Sequence, residues 1–160
     1  MRCGEGWMEE KHDGSLEAPM DLRVWVRLLS CAMRIEKRLR RNFAEQFDTT
    51  LPRFDVMASL DRYPDGQTMG DLSRALLVSN GNVTSIVRQL EAQKLVETNV
   101  DPNDRRSAIV TLTPEGKTLF KRMARDHQGW VRDAMKDFPR EKQQQLYDLL
   151  ADLKVSIGRS

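Results

Sequence analysis

Between Ser79 and Arg88 the chain sets Ser79, Asn80, Asn82, Thr84, Ser85 and Arg88 around an apolar stripe of Val83, Val87 and Leu90. Short amides and hydroxyls both donate and accept hydrogen bonds, as the base edges of a major groove require, and an arginine reaches a phosphate or a guanine. Gly81 adds no side chain that would hold such a helix away from a duplex. An ordinary amphipathic helix with a solvated polar face has the same composition, so position must decide between the two. Just downstream, Asp101-Pro102-Asn103-Asp104-Arg105-Arg106-Ser107 separates two short alternating runs, Val96–Val100 and Ala108–Leu112. The pattern predicts a hairpin with a charged tip. Together with the two helices read from Thr68 onward, it makes a unit of helix, turn, helix and wing, built to lie on DNA. At the tip, an arginine suits the negative potential of a narrow minor groove, and Asp104, beside Arg105 and two before Arg106, can hold such a side chain in one pose. On an arbitrary hairpin these charges would merely keep the tip in water.

Other chemistry-bearing residues are weaker signals. Five of the eight residues from Arg34 to Arg41 are basic. Arg34, Lys37, Arg38 and Arg41 fall along one helix side, either as a solvated stripe or as a phosphate site. Cys31 has Arg27 and Arg34 within one turn, the setting of a redox-sensing thiol, although a buried structural cysteine is the commoner role. Cys3 and Cys31 are not spaced as a disulfide framework, and His12 and His127 have no metal-ligand neighbours, so no metal or cofactor is expected. Asp55, Asp61 and Asp65 could form an acid/base set, but helix ends and turns account for them, and no nucleophile elbow, zinc-hydrolase or phosphate-loop motif supports an enzyme.

These residues require particular elements to carry them. Apolar residues from Leu22 to Phe47 recur at helical spacing, with Asp21 as the expected cap of a helix about 40 Å long. Thr49-Thr50 before Leu51-Pro52 announces a second helix, stopped by Tyr63-Pro64. Thr68-Met69-Gly70-Asp71 has the form of a capping box, Ser79 caps the next helix, and Thr113-Pro114 opens another long one. Pro139 breaks that helix, and Leu146, Leu149, Leu150, Leu153 and Ile157 mark a last one. The first helix has an apolar face too wide for a surface helix, which predicts contact with a second subunit.

Residues 1–18 have little periodicity and read as a flexible leader; residues 19–160 read as one domain. A net charge of +2 does not itself argue for nucleic acid, so placement of charge must. No apolar run reaches the roughly 18 residues of a membrane span, and no signal peptide is evident, so a cytoplasmic protein without membrane contact is expected.

From Leu72 through Gly116 the chain resembles the MarR family of bacterial transcription regulators, whose wing is similar to D-x-x-D-R-R, a strand, and L-T-x-x-G. Here the pattern stands as Asp101-Pro102-Asn103-Asp104-Arg105-Arg106 and Leu112-Thr113-Pro114-Glu115-Gly116. It departs at Asn103, where many members carry an arginine. The resemblance extends over roughly residues 20 to 157. It implies a mainly α fold with a small β-hairpin wing, and a winged helix-turn-helix unit over about 51–113. It further implies a homodimer joined through helices at about 19–47 and 114–158, double-stranded DNA as partner, Arg106 as the minor-groove residue and Asp104 as its support. A ligand pocket would lie between the dimer region and the winged unit. Leu51-Pro52-Arg53-Phe54-Asp55 and Val78-Ser79-Asn80-Gly81-Asn82-Val83-Thr84 look like members controlling aromatic-acid catabolism, including those sensing hydroxycinnamoyl-CoA thioesters. On that basis the pocket is expected to use Trp25, Leu28, Leu29, Phe54, Met57 and Trp130 for a ring, with Arg53 or Arg34, Arg38 and Arg41 for an anionic group. The expected function is a repressor released from a pseudo-palindromic operator by an aromatic acid or acyl-CoA. A Cys31-based redox repressor and a helical protein-binding adaptor are the alternatives.

Overall fold

The computed structural model describes residues 18–101 and 107–158. Helix α1 spans Met20–Phe47 and α2 spans Leu51–Arg62, followed by the short strand β1 at Gln67–Thr68. Helices α3 (Met69–Leu76) and α4 (Asn80–Ala92) then lead into strands β2 (Val96–Val100) and β3 (Ala108–Leu112). Two further helices, α5 (Pro114–Met135) and α6 (Arg140–Ile157), complete the described chain.

Local chemistry sets most of these boundaries. At α3 the capping box forms: Thr68 Oγ1 accepts from the Asp71 N–H at 3.1 Å, and the Asp71 carboxylate accepts from the Thr68 N–H at 3.3 Å. Ser79 accepts from the Asn82 N–H at 3.4 Å, and Thr113 from the Gly116 N–H at 3.0 Å, so α4 and α5 start where free backbone donors find a hydroxyl. The first helix differs from expectation. Pro19 holds the cap position, no side chain caps the helix, and Asp21 sits in the first turn accepting from the Leu22 N–H. Proline has no side-chain acceptor, so the remaining free N–H groups of this exposed helix end are left to solvent.

The sheet is antiparallel in the order β1-β3-β2. Val96 pairs with Leu112 and Val100 with Ala108, and the Asp101 N–H donates to the Ser107 carbonyl across the hairpin's open end. β1 is an addition to the expected hairpin: Gln67 pairs with Val110 and Thr68 with Ile109. Two residues are too few to show a period of two, so no pattern announces this strand. Its buried Gln67 accepts from Ser59 Oγ at 2.7 Å, which satisfies a polar group that α2 and the sheet enclose.

The core is centred on the helix-turn-helix and wing unit, with Leu39 and Phe43 of α1 and Phe120 and Met123 of α5 packed into it. Val56, Met57, Leu60, Leu72, Val83, Val87, Leu90, Val96, Val110 and Met123 are almost wholly buried, each stabilising the fold by about 1.5–3 kcal/mol. From α1 only Leu39 and Phe43 are buried, and α6 buries no residue.

The end of α4 is built without glycine. The Leu95 N–H donates to the Leu90 carbonyl and the Lys94 N–H to the Glu91 carbonyl, with Lys94 at φ 58. This is a Schellman closure, whose left-handed position ordinarily favours glycine. Gly116 packs on the same turn, where an added β-carbon would stand 1.9 Å from the Leu95 carbonyl oxygen. Since the obstacle is backbone, Gly116→Ala should destabilise by about 3 kcal/mol or more. Lys94→Gly relieves the left-handed cost and should stabilise by about 1 kcal/mol. Urea unfolding midpoints of the two variants check both signs.

Candidate nucleic-acid interface

Helix α4 is anchored through Val83, Val87 and Leu90, which leaves Asn80, Gly81, Asn82, Ser85, Arg88 and Gln89 exposed along its other side. Ser79, also exposed, caps its start. Gly81, Thr84, Ser85, Arg88, Gln89 and Ala92 form one continuous, open surface along this face. Thr84 is half-buried, and its hydroxyl donates to the Asn80 carbonyl at 2.8 Å, so it offers a ligand mainly an acceptor. Nothing lies within 4 Å of the place a β-carbon on Gly81 would take. The fold itself therefore gives no steric reason for glycine in this helix, where it costs about 0.5–1 kcal/mol relative to alanine.

The turn before α4 is rigid. Leu77, at φ 54, and Val78 donate their N–H groups to the Arg74 and Ser73 carbonyls, and Ser73 Oγ donates to the Val78 carbonyl at 2.6 Å. Arg74 is committed to Asp71, whose carboxyl is held below its usual range first by the Thr68 hydroxyl and backbone N–H. On the wing, β2 and β3 are described up to Asp101 and from Ser107; Asp104, Arg105 and Arg106 lie outside the described residues.

A second cluster forms where α1, α2 and α5 cross. Phe43 stands 4.7 Å from Phe54 and 5.0 Å from Trp130 between ring centroids, and His127 lies tilted 4.9 Å from Phe54 and stacked 6.0 Å from Phe43. Arg53, one residue before Phe54, is buried: its Nη2 donates to Gln93 Oε1, while its Nε is buried without an acceptor. Burial works against the charged guanidinium, and Asp48 partly offsets that. Asp55 is also half-buried, and desolvation holds its carboxyl above its usual range, with Arg40 opposing and Glu36 adding to the shift. Arg40 itself donates to Glu36. Asp55 thus sits in a charge cluster between α1 and α2, where the sequence had suggested only a helix end. Gln93 carries no motif, and the run that contains Asp55 does not name its partners; only the crossing of α2 with α4 and α1 brings them together.

The residues expected to line one pocket separate within a single chain. Phe54 and Met57 are consumed by the core. Trp25 and Leu29 are exposed and Leu28 is half-buried, all on the half of α1 beyond the core. Leu29 precedes Phe43 by 14 positions, or about 21 Å of helix. Arg38 and Arg41 are exposed, as is Arg34. Cys31 is exposed too, contrary to the buried role expected of it, because it lies on that same uncovered half of α1. Among the described residues no His, Cys, Asp and Glu group could hold a metal ion.

Comparison with known proteins follows this geometry. Residues 47–107 match the model of the MarR family. The solved structure of a MarR family transcriptional regulator from Silicibacter pomeroyi is 30% identical, with TM-score 0.73 over 86% of this chain and 94% of that one. Sco3205 from Streptomyces coelicolor, a MarR family regulator solved in complex with DNA, superposes with TM-score 0.76 at 21% identity, over 89% of this chain and 91% of that one. BadR of Rhodopseudomonas palustris, a transcriptional activatory protein, is 33% identical over 116 residues, 70% of this chain and 66% of BadR, just under two thirds of its length. The chain belongs to the MarR family, a family of DNA-binding transcription regulators with a winged helix-turn-helix fold.

Burial between Phe43 and Phe54 lowers the pKa of His127 from its ordinary value of about 6.5. As pH falls below that value, the unfolded chain takes up this proton before the folded one does. His127 therefore makes stability decline downward from pH 6.5 until the folded imidazole also protonates. Replacing it by Phe should flatten the difference in urea midpoint between pH 7.5 and 5.5 relative to the wild type.

Proposed function

We propose that the chain acts as a homodimeric repressor that reads a pseudo-palindromic operator and is released by an anionic aromatic ligand. The observation that carries the DNA-reading part is the exposed polar face of α4, opened by the Ser79 cap and left bare at Gly81. Asn80, Asn82, Thr84, Ser85 and Arg88 would meet base edges and phosphates in a major groove. Arg105 and Arg106, supported by Asp104, would serve the adjoining minor groove. The solved DNA complex of Sco3205 supports a duplex as partner for this fold.

Assembly follows from what a single chain leaves uncovered. Leu22 and Leu29 on α1, with Leu146, Leu150, Leu153 and Ile157 on α6, are exposed apolar residues on two helices that flank the compact unit. A second copy placing the same faces together would bury them, giving helices 19–47 and 114–158 the dimerising role and residues 51–113 the DNA-reading role. Among the described residues no helix is long and apolar enough to cross a membrane, and a cytoplasmic dimer meeting chromosomal DNA fits this arrangement.

The aromatic nest beside Arg53 supports the effector class. A ring would have to open the packing of Phe54 and Met57, which a single chain keeps in its core, and lie beside Trp130 with a carboxylate on Arg53. Arg34, Arg38 and Arg41 would meet the phosphates of a CoA thioester, and Trp25, Leu28 and Leu29 would belong to the dimer side of that pocket. Titrating operator-bound protein with 4-hydroxycinnamate and with its CoA thioester separates the cases. The free acid carries the carboxylate that Arg53 would bind. The thioester lacks it and carries phosphates instead, so release by the thioester alone assigns the effector to Arg38 and Arg41. Release by neither rejects the aromatic reading, and release by peroxide through Cys31 would replace it.

Gly81→Ala should raise the melting temperature, since alanine favours helix by about 0.5–1 kcal/mol, yet weaken operator binding by about 1 kcal/mol or more. Opposite signs in thermal melts and gel shifts are the expected result; equal operator affinity would remove α4 from the interface. Arg106→Ala should weaken binding and reduce the slope of log affinity against log salt by about 1.

A further inference from the structure

Gln93 and Arg53 stand 40 positions apart, yet one hydrogen bond joins them and thereby ties the last residue of the α4 cap to α2. Arg53 as a whole residue is only 9% exposed. Its Nη2 has Gln93 Oε1 as acceptor, and its Nε is buried with none. These two donors lie on the same edge of the planar group, the edge that grips a carboxylate with two parallel bonds. A single amide oxygen satisfies half of that fork. Gln93 is itself exposed, so water can replace the arginine as its partner at little cost. An oxyanion entering at Arg53 would satisfy both donors and place a negative charge beside a buried cation. The exchange is unequal: the arginine gains what glutamine cannot supply, and glutamine loses what water can.

What Gln93 would lose is its hold on α2. The turn after it stays fastened to α5, because Thr113 Oγ1 donates to the Lys94 carbonyl at 2.7 Å and the Thr113 N–H to that of Leu95. Along α4 itself Val83, Val87 and Leu90 make apolar contacts, which resist separation more than small rotation. Breaking the Gln93 contact therefore removes a directional link from α2 while the pivot at α5 remains.

We propose that the Nε–Nη2 edge of Arg53 is a carboxylate receptor and that Gln93 is the internal competitor it displaces, so that an acid bound there unlatches α4 from α2. The latch rests on the reading of α4 as the DNA-reading helix and of an aromatic acid as effector. It makes Gln93 a positioning residue for DNA binding. Wild type, Gln93→Ala, Arg53→Met and the double variant are compared for affinity to an operator duplex selected in vitro by the wild type, and for affinity to 4-hydroxycinnamate by calorimetry. Removing a hydrogen bond to a charged group changes affinity by about tenfold. Gln93→Ala should bind the operator about tenfold more weakly and the acid about tenfold more tightly, because its competitor is gone. In the Arg53→Met background, Gln93→Ala should change operator affinity no further. Arg53→Lys keeps the charge and loses the forked edge; it should fold, bind the acid weakly and also be insensitive to Gln93→Ala. Additive effects on operator affinity overturn the latch even when the acid binds, and so does an unchanged acid affinity in Gln93→Ala. A wild type that binds the operator but no acid instead sinks the effector reading, and the receptor with it.

Discussion

The seam between the end of α4 and the start of α5 is the constraint on which the rest of the molecule depends. Gly116 lies so close to the Leu95 carbonyl that no side chain fits, while Thr113 bonds both Lys94 and Leu95 from the other side. Thr113 also caps α5 through the Gly116 N–H. One turn thus finishes α4, receives the last strand of the wing and starts the long helix that leaves the unit. Because these contacts are backbone-centred and short, α4 cannot shift as a body without α5 following or the seam breaking.

Around that seam the chain divides its apolar surface unevenly. The helix-turn-helix and sheet enclose nearly all of the buried core, whereas α6 and the first half of α1 bury almost nothing. Such a division suits a regulator. In the proposed dimer a compact unit would keep the geometry that faces DNA, and the extended helices with uncovered apolar faces would pair with a second copy. Net charge contributes little to this picture, since the charges are placed rather than accumulated.

Between the two regions lies an unusually polar crossing for a small core. Arg53, Asp55 and His127 are each withdrawn from water far enough to shift their titration; His127 lies against Phe43 and Phe54, while Arg53 and Asp55 flank Phe54 along α2. Burying such groups opposes stability unless partners satisfy them. The proposed effector site rests on these withdrawn polar groups and on the α2 to α4 link.

Much of the architecture was legible from the residues in order. The Thr68-to-Asp71 box, the Ser79 and Thr113 caps and the alternation on either side of Asp101–Ser107 are local signals, because capping and pleating involve neighbours within a few positions. The wing motif and Gly116 carried the family as well, and the polar face of α4 was readable from its helical period. What only the tertiary structure decided is of longer range. It added the two-residue β1 as an edge of the sheet, spent Phe54 and Met57 on the core rather than on a pocket with Trp25 and Leu29, left Cys31 exposed, and set Gln93 on Arg53. None of these could be read from spacing, because each depends on how helices far apart in sequence cross, and crossing is fixed by the packing of the whole apolar surface rather than by any local run of residues.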